Sequence, residues 1–193
     1  DLLSGIGRAY GVEFLIKKNR GKFNGWVSYT AGRSELKIDG INEFNWYPTR
    51  YDQTHNLKLT SNFDLNKRIS LAGNFTFISG TPVTFPTSKY VIQGFVIPHN
   101  SNNSRNDRRI PNYHRLDFSV TINGKKENKK GKIRKNNNSL VIGIYNVYNR
   151  KNPFSIYFSQ GKKVASESFV PGQVTRLSII GSFVPSITYN FKF

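Results

Sequence analysis

Apolar and polar residues alternate along this chain with a period of two, almost from one end to the other. In "RAYGVEFLIKK", Tyr10, Val12, Phe14 and Ile16 share one face, opposite Gly11, Glu13 and Lys17. Asn19-Arg20-Gly21-Lys22 forms a tight turn into "KFNGWVSYTAGRSE", where Phe23, Val27, Tyr29 and Ala31 oppose Asn24, Ser28 and Thr30. Trp26 breaks that pattern on the polar side. The cleanest run is "YDQTHNLKLTSNFDL": Leu57, Leu59, Phe63 and Leu65 face one way, and Asp52, Asn56, Lys58, Thr60 and Asp64 the other. Asn66-Lys67 then turns into "RISLAGNFTFISG", with Ile69, Leu71, Phe75 and Phe77 opposite Arg68, Ser70, Asn74 and Thr76. "YHRLDFSVTIN" sets Leu116, Phe118, Val120 and Ile122 against Arg115, Asp117, Ser119 and Thr121. The last stretch, about 174–193 with a break near Pro185, ends with Ile187, Tyr189, Phe191 and Phe193 at every second position.

These runs predict an all-β protein with about seven extended segments, each of about 9–14 residues, the span of a tilted membrane strand. Connections alternate short and long: the turns after Lys18 and Leu65 are tight, and those after Glu35 and Gly80 are long. Outer-membrane barrels have this asymmetry, with short periplasmic turns and longer extracellular loops. Within the long polar stretch at 81–112, "PHNSNNSRNDRRIP" has no periodicity and reads as a mobile loop. The strand pattern therefore predicts Leu57, Leu59, Phe63, Leu71, Phe75, Phe77, Phe118 and Val120 toward lipid. It predicts Asp52, Asn56, Lys58, Thr60, Arg68, Asn74, Arg115 and Asp117 toward a polar lumen. Tyr10, Tyr29, Tyr51 and Tyr113 fall toward strand ends, where amphipathic rings prefer the membrane interface.

Composition sharpens this picture. Only 37% of residues are hydrophobic, yet 14% are aromatic, a mixture suited to a sheet whose two faces meet different solvents. The chain has 193 residues and no cysteine, so it contains no disulfide framework and no thiolate metal site. No apolar run of about 18 residues could form a spanning helix, which excludes a helical membrane protein but not a β-barrel. The formal charge of +18 raises nucleic acid or an anionic membrane as partners. Much of the excess lies in "GKKENKKGKIRKNNN", where no aromatic interleaves to stack on bases. That run reads as a solvated turn on the periplasmic side, near anionic headgroups, and nucleic acid is not expected as a partner.

Little points to catalysis. His55, His99 and His114 are scattered, with no nucleophile or acid at useful spacing, and no metal or phosphate-loop pattern is present. The chain is read as no enzyme, with no cofactor. Glu13, Asp52, Asp64 and Asp117 are expected to partner Lys58, Arg68 and Arg115 in ladders on the polar face.

Several stretches in order carry a resemblance: "GRAYGVEFLIKK", "GKFNGWVSYTAGRSE", "INEFNWYPTRYDQTHNLKL", "LNKRISLAGNFTFISGTPVTFP", "PNYHRLDFSV", "IYNVYNRKNPFSIYF" and "PSITYNFKF". Together they resemble the C-terminal barrel of TonB-dependent outer-membrane receptors, in the subgroup preceded by a carboxypeptidase-regulatory-like domain. The likeness weakens in the loops at about 98–110 and 160–172. It implies residence in the bacterial outer membrane, within a barrel of about 22 strands filled by an N-terminal plug. It implies import of a scarce nutrient with energy relayed by TonB through the plug-bearing region. It also implies recognition by the barrel assembly machinery through the terminal strand, with Ile187, Tyr189, Phe191 and Phe193 as the assembly signal. A surface lipoprotein is a further possible partner. The chain opens on Asp1 rather than Met and lacks plug and N-terminal strands, so it is expected to be the C-terminal segment, completed by the remaining strands. Two other readings stay open: a passive porin or adhesin-type barrel, and a soluble basic β-protein that binds nucleic acid.

Overall fold

The computed structural model describes residues 3–93, 95–100, 103–125, 137–160 and 172–192. Among these the chain is all-β, with one three-residue 3-10 turn at Asn42–Phe44. The strands are β1 (Gly5–Lys18), β2 (Phe23–Ile38), β3 (Tyr47–Pro48), β4 (His55–Asp64), β5 (Ile69–Ile78), β6 (Pro82–Val83) and β7 (Ser88–Ile92). They continue as β8 (Phe95–His99), β9 (Arg108–Arg109), β10 (Tyr113–Asn123), β11 (Asn137–Tyr145), β12 (Ser155–Gln160), β13 (Gly172–Leu177) and β14 (Val184–Lys192).

The main sheet is an antiparallel meander in the order β1-β2-β4-β5-β10-β11-β14, with β3 added on β2. Each of these strands pairs with its neighbour along the chain. The sheet is open: β1 and β14 are its edges and do not pair with each other. The period-two alternation carries through the whole register, because a one-residue slip would exchange the faces. Phe14 lies opposite Tyr29, Tyr29 opposite Leu57, Leu57 opposite Phe77, and Phe77 opposite His114. Val120 continues from Leu71 to Ile142 and Ile187. Seven strands thus contribute to one apolar face.

The tight β1–β2 and β4–β5 turns lie at one end of the sheet, and the connections after β2, β5 and β11 lie at the other. Gly21 takes a left-handed φ of 97° in the β1–β2 turn, where an L side chain would be strained. In the β4–β5 turn the Asn66 side chain accepts hydrogen bonds from the backbone N–H groups of Arg68 (2.8 Å) and Ile69 (2.9 Å), an Asx turn that fixes the hairpin. β10 and β11 join at the same end, with Gly124 N–H donating to the Asn138 carbonyl at 2.7 Å.

The long-loop end differs from the sequence reading in two places. The stretch at 81–112 is organised: β7 pairs with β8 and β6 with β9. A β12–β13 ribbon stands between β11 and β14. The break in the last stretch lies between Leu177 and Val184, near Pro185 as the sequence suggests, and Pro185 itself lies within β14 opposite Ile144.

Buried side chains are few and mostly polar. Tyr47 is the one large apolar residue that is buried among those described; Glu35, Asp52, Ser79, Asn146 and Asn152 are buried with it. The apolar face of the sheet stays exposed on its outer strands, at Val12, Phe14, Ile187 and Phe191. Leu59, Phe63 and Phe118 are exposed within it, while Leu57, Leu71, Phe75, Phe77 and Val120 are half-buried among their neighbours.

Candidate functional site

Two regions set this molecule apart, the apolar face of the sheet and the polar assembly of its long loops. On the apolar face, register places Leu57, Leu59, Phe63, Leu71, Phe75, Phe77, Phe118 and Val120 side by side, together with Ile187, Tyr189 and Phe191. Residues without a polar atom fill the middle: Val27, Leu59, Phe75 and Leu116 form one continuous row. Rings and imidazoles mark the ends. Near the long loops, Tyr29 OH lies 2.8 Å from His55 Nδ1 and Tyr148 OH lies 2.8 Å from His114 Nδ1. Near the short turns stand Phe23, Phe63, Tyr189 and Phe191, with Asn138 donating to Tyr189 OH at 2.9 Å. Phe193 lies outside the described residues.

The opposite face is polar. Thr60 donates to Asn74 at 2.9 Å, and Asn62 to Asn24 at 3.3 Å, each across neighbouring strands. Lys58 lies between Ser28 and Thr76, and Asn56 between Thr30 and Ile78. Trp26 sits on this side, opposite Thr60. Arg115 and Asp117 pair at 2.9 Å on one strand, and Arg115 also donates to Tyr113 OH at 2.9 Å and stacks over the Tyr145 ring. Tyr113 therefore belongs to the polar side, not to the ring of Tyr10 and Tyr29.

Two expected ladder residues take other places. Asp52 is not a strand residue, because β4 begins only at His55. It is 1% exposed in the preceding turn, where it accepts Ser34 N–H at 2.6 Å and pairs with Arg109. A carboxylate so buried needs both partners, since charge removed from water is costly unless paired and hydrogen-bonded. Arg68 lies in the β4–β5 turn and donates to the Asn123 carbonyl at 3.1 Å instead of to a carboxylate. Asp64 accepts from Ser70 at 2.8 Å. The basic run at 125–135 lies outside the described residues from 126 onward.

The loops at 39–54 and 79–112 are tied to one another by polar groups. Arg109 reaches the carbonyls of Asp52 (3.1 Å) and Gly80 (2.9 Å), and Asn106 donates to the Pro48 carbonyl at 2.8 Å. Gly80 is required here: a Cβ would fall 1.6 Å from the Ile110 carbonyl oxygen. Between the loops opens a cleft of about 610 Å³, lined by Leu36, Ile38, Tyr47, Tyr51, Arg50 and Arg105, among others. Further along, Asn146 is 1% exposed: it donates to Ser182 and Arg150 carbonyls, and its backbone N–H donates to Asp117 at 2.9 Å. Asn152 takes the place of a strand partner, giving its amide to the His114 carbonyl (2.9 Å) and accepting His114 N–H (3.0 Å).

Asn146 and Asn152 escape a period-two reading because they lie in loops, and Arg109 because its strand is only two residues long. The spaced asparagines of "YNVYNRKN" are the one visible signal, since Asn tolerates the left-handed backbone that Asn146 (φ 57°) and Asn149 (φ 56°) adopt. Outside the apolar band, in the outer parts of β1 and β2, Arg8 and Arg33 hold the Glu35 carboxylate at 2.7 and 3.2 Å. Burial pushes the Glu35 carboxyl up, but hydrogen bonds and charge from both arginines reverse that and hold it below the ordinary value. No group of three or more His, Asp or Glu side chains that could hold a metal occurs among the described residues. No family model, curated protein or solved structure matches this chain.

Proposed function

We propose that this chain is part of a transmembrane β-barrel of a bacterial outer membrane, and that the complete barrel is a TonB-dependent uptake receptor. One observation carries the membrane reading: a continuous apolar face across seven strands has no second layer over it among the described residues, while the few buried side chains are mostly polar. The accessible surface is 14470 Å². A compact globular protein of this mass exposes about 9300 Å². A soluble sheet with one apolar face would place a second layer over it. Lipid supplies that layer here. β10, with 11 residues, extends ~33 Å, which at a tilt of about 40° crosses ~25 Å, the height of a barrel's apolar band.

The open edges favour a barrel completed by other strands. Unpaired backbone groups cannot face hydrocarbon, so β1 and β14 both need partners. The number of strands decides what kind. Because the meander has seven, β1 and β14 both run from the long-loop end to the short-turn end, and pairing them would be parallel. An all-antiparallel barrel then requires an odd number of additional strands. Energy-coupled import rests on the sequence resemblance alone, and the substrate cleft on that reading is the polar loop assembly.

Extraction tests the proposal. The chain should stay with the membrane fraction through alkaline washing and dissolve only in detergent, and alone it should form no conducting pore. A chain that dissolves without detergent and retards DNA on a gel would replace this reading with a soluble nucleic-acid-binding one.

A further inference from the structure

The apolar face does not end at its girdle of rings. Above it on β1 and β2, the same parity continues into charge: Arg8 follows Tyr10, Val12, Phe14 and Ile16, and Arg33, Glu35 and Lys37 follow Val27, Tyr29 and Ala31. Register sets Arg8 opposite Glu35 and Tyr10 opposite Arg33. The loop adds rings on this side. The Arg8 guanidinium lies 4.1 Å from the Trp46 ring, and the Lys37 ammonium 4.2 Å from Phe44.

We propose that this cluster binds the phosphate of a phosphorylated glycolipid in the outer leaflet. The proposal rests on the membrane reading above and adds a ligand to it. Charge supports it: two arginines hold one carboxylate, Lys37 follows at the same parity on β2, and no second carboxylate pairs with these three cations among the described residues. Geometry supports it as well. Arg8 spends Nε and Nη2 on one Glu35 oxygen, and Arg33 spends only Nε on the other. The remaining η nitrogens are left to donate elsewhere. Both arginine side chains remain more than two-fifths exposed, while Glu35 is buried, so the carboxylate fixes the forks and leaves their outer donors open. Aromatic contacts orient cations without neutralising them. Arginine forks suit phosphate oxygens, and ordering them in advance lowers the cost of binding. Acyl chains lying along Val12, Phe14 and Ile16 would bring a headgroup to this height.

The test uses the complete barrel, folded and purified in detergent, with three probes: a bisphosphorylated glycolipid, the same lipid stripped of its phosphates, and inorganic phosphate. The native barrel should retain the first lipid. The variant R33Q/K37Q should retain it about tenfold less or weaker, as expected for lost charged hydrogen bonds. K37Q alone, which touches no ion pair, should show part of that loss, with the heat-modifiable folded band unchanged. The stripped lipid should bind native and variant alike. Equal retention of the phosphorylated lipid by native and variant barrels, or retention of the stripped lipid by the native barrel as strong as that of the phosphorylated one, would show that the cluster only staples β1 to β2. Displacement by inorganic phosphate at equal concentration would make it a free-anion site and overturn the lipid assignment. A chain that stays in solution without detergent would remove the membrane reading and this proposal together, whereas a folded barrel indifferent to these side chains removes this proposal alone.

Discussion

At the scale of single residues, parity is what the sequence carried most clearly. Leu59 and Thr60 are neighbours in the chain, yet Leu59 lies between Val27 and Phe75 and Thr60 between Trp26 and Asn74. On the proposed membrane reading, lipid on one side and a wet lumen on the other would make their substitution costs diverge. Leu59→Arg or Phe75→Arg should cost about 2–4 kcal/mol at mid-bilayer. Thr60→Arg should cost about 1 kcal/mol, the hydrogen bond to Asn74. Urea unfolding in lipid vesicles measures both, and equal costs on the two faces would contradict the assignment. Parity was blind to where a strand stops. Counting back from Lys58 puts Asp52 on the polar face of a strand, but the strand ends at His55 and the carboxylate folds under Ser34. Its partner Arg109 lies 57 residues away, beyond the reach of any local pattern.

At the scale of elements, hairpins were legible because their turn chemistry is local. Gly21 and Asn66 name their turns in the sequence, and the tight connections lie where those residues put them. The long loops were legible only as lengths. β6 to β9 lie in a stretch whose pairing partners are separated by mixed polar sequence, and ribbons such as Pro82 with Arg109 depend on contacts that periodicity cannot see. The alternation of loop lengths makes a topological prediction of its own. Single cysteines at Ser104, in the long-loop assembly, and at Lys67, in the β4–β5 turn, should differ on intact cells. An impermeant thiol reagent should label Ser104→Cys and spare Lys67→Cys. The reverse pattern would invert the orientation, and labelling of both would place the chain outside a sealed membrane.

At the scale of the whole molecule, the sheet is inside out by the standard of a soluble protein: Asp52 and Asn146 are its most buried large side chains, and Ile187 is 74% exposed. A sequence can announce that two faces differ, but only the fold shows that nothing in the described chain covers the apolar one. The central claim is that lipid covers it. Five consecutive residues of β10, Phe118 to Ile122, test this most directly, because they alternate across the sheet far from either edge. Each position is replaced in turn by a cysteine carrying an environment-sensitive fluorophore, and the barrel is folded into vesicles containing brominated lipid. Lipid should quench the probe at 118, 120 and 122 and leave it bright at 119 and 121. Uniform quenching, no quenching, or quenching at 119 and 121 alone would contradict a membrane-facing sheet.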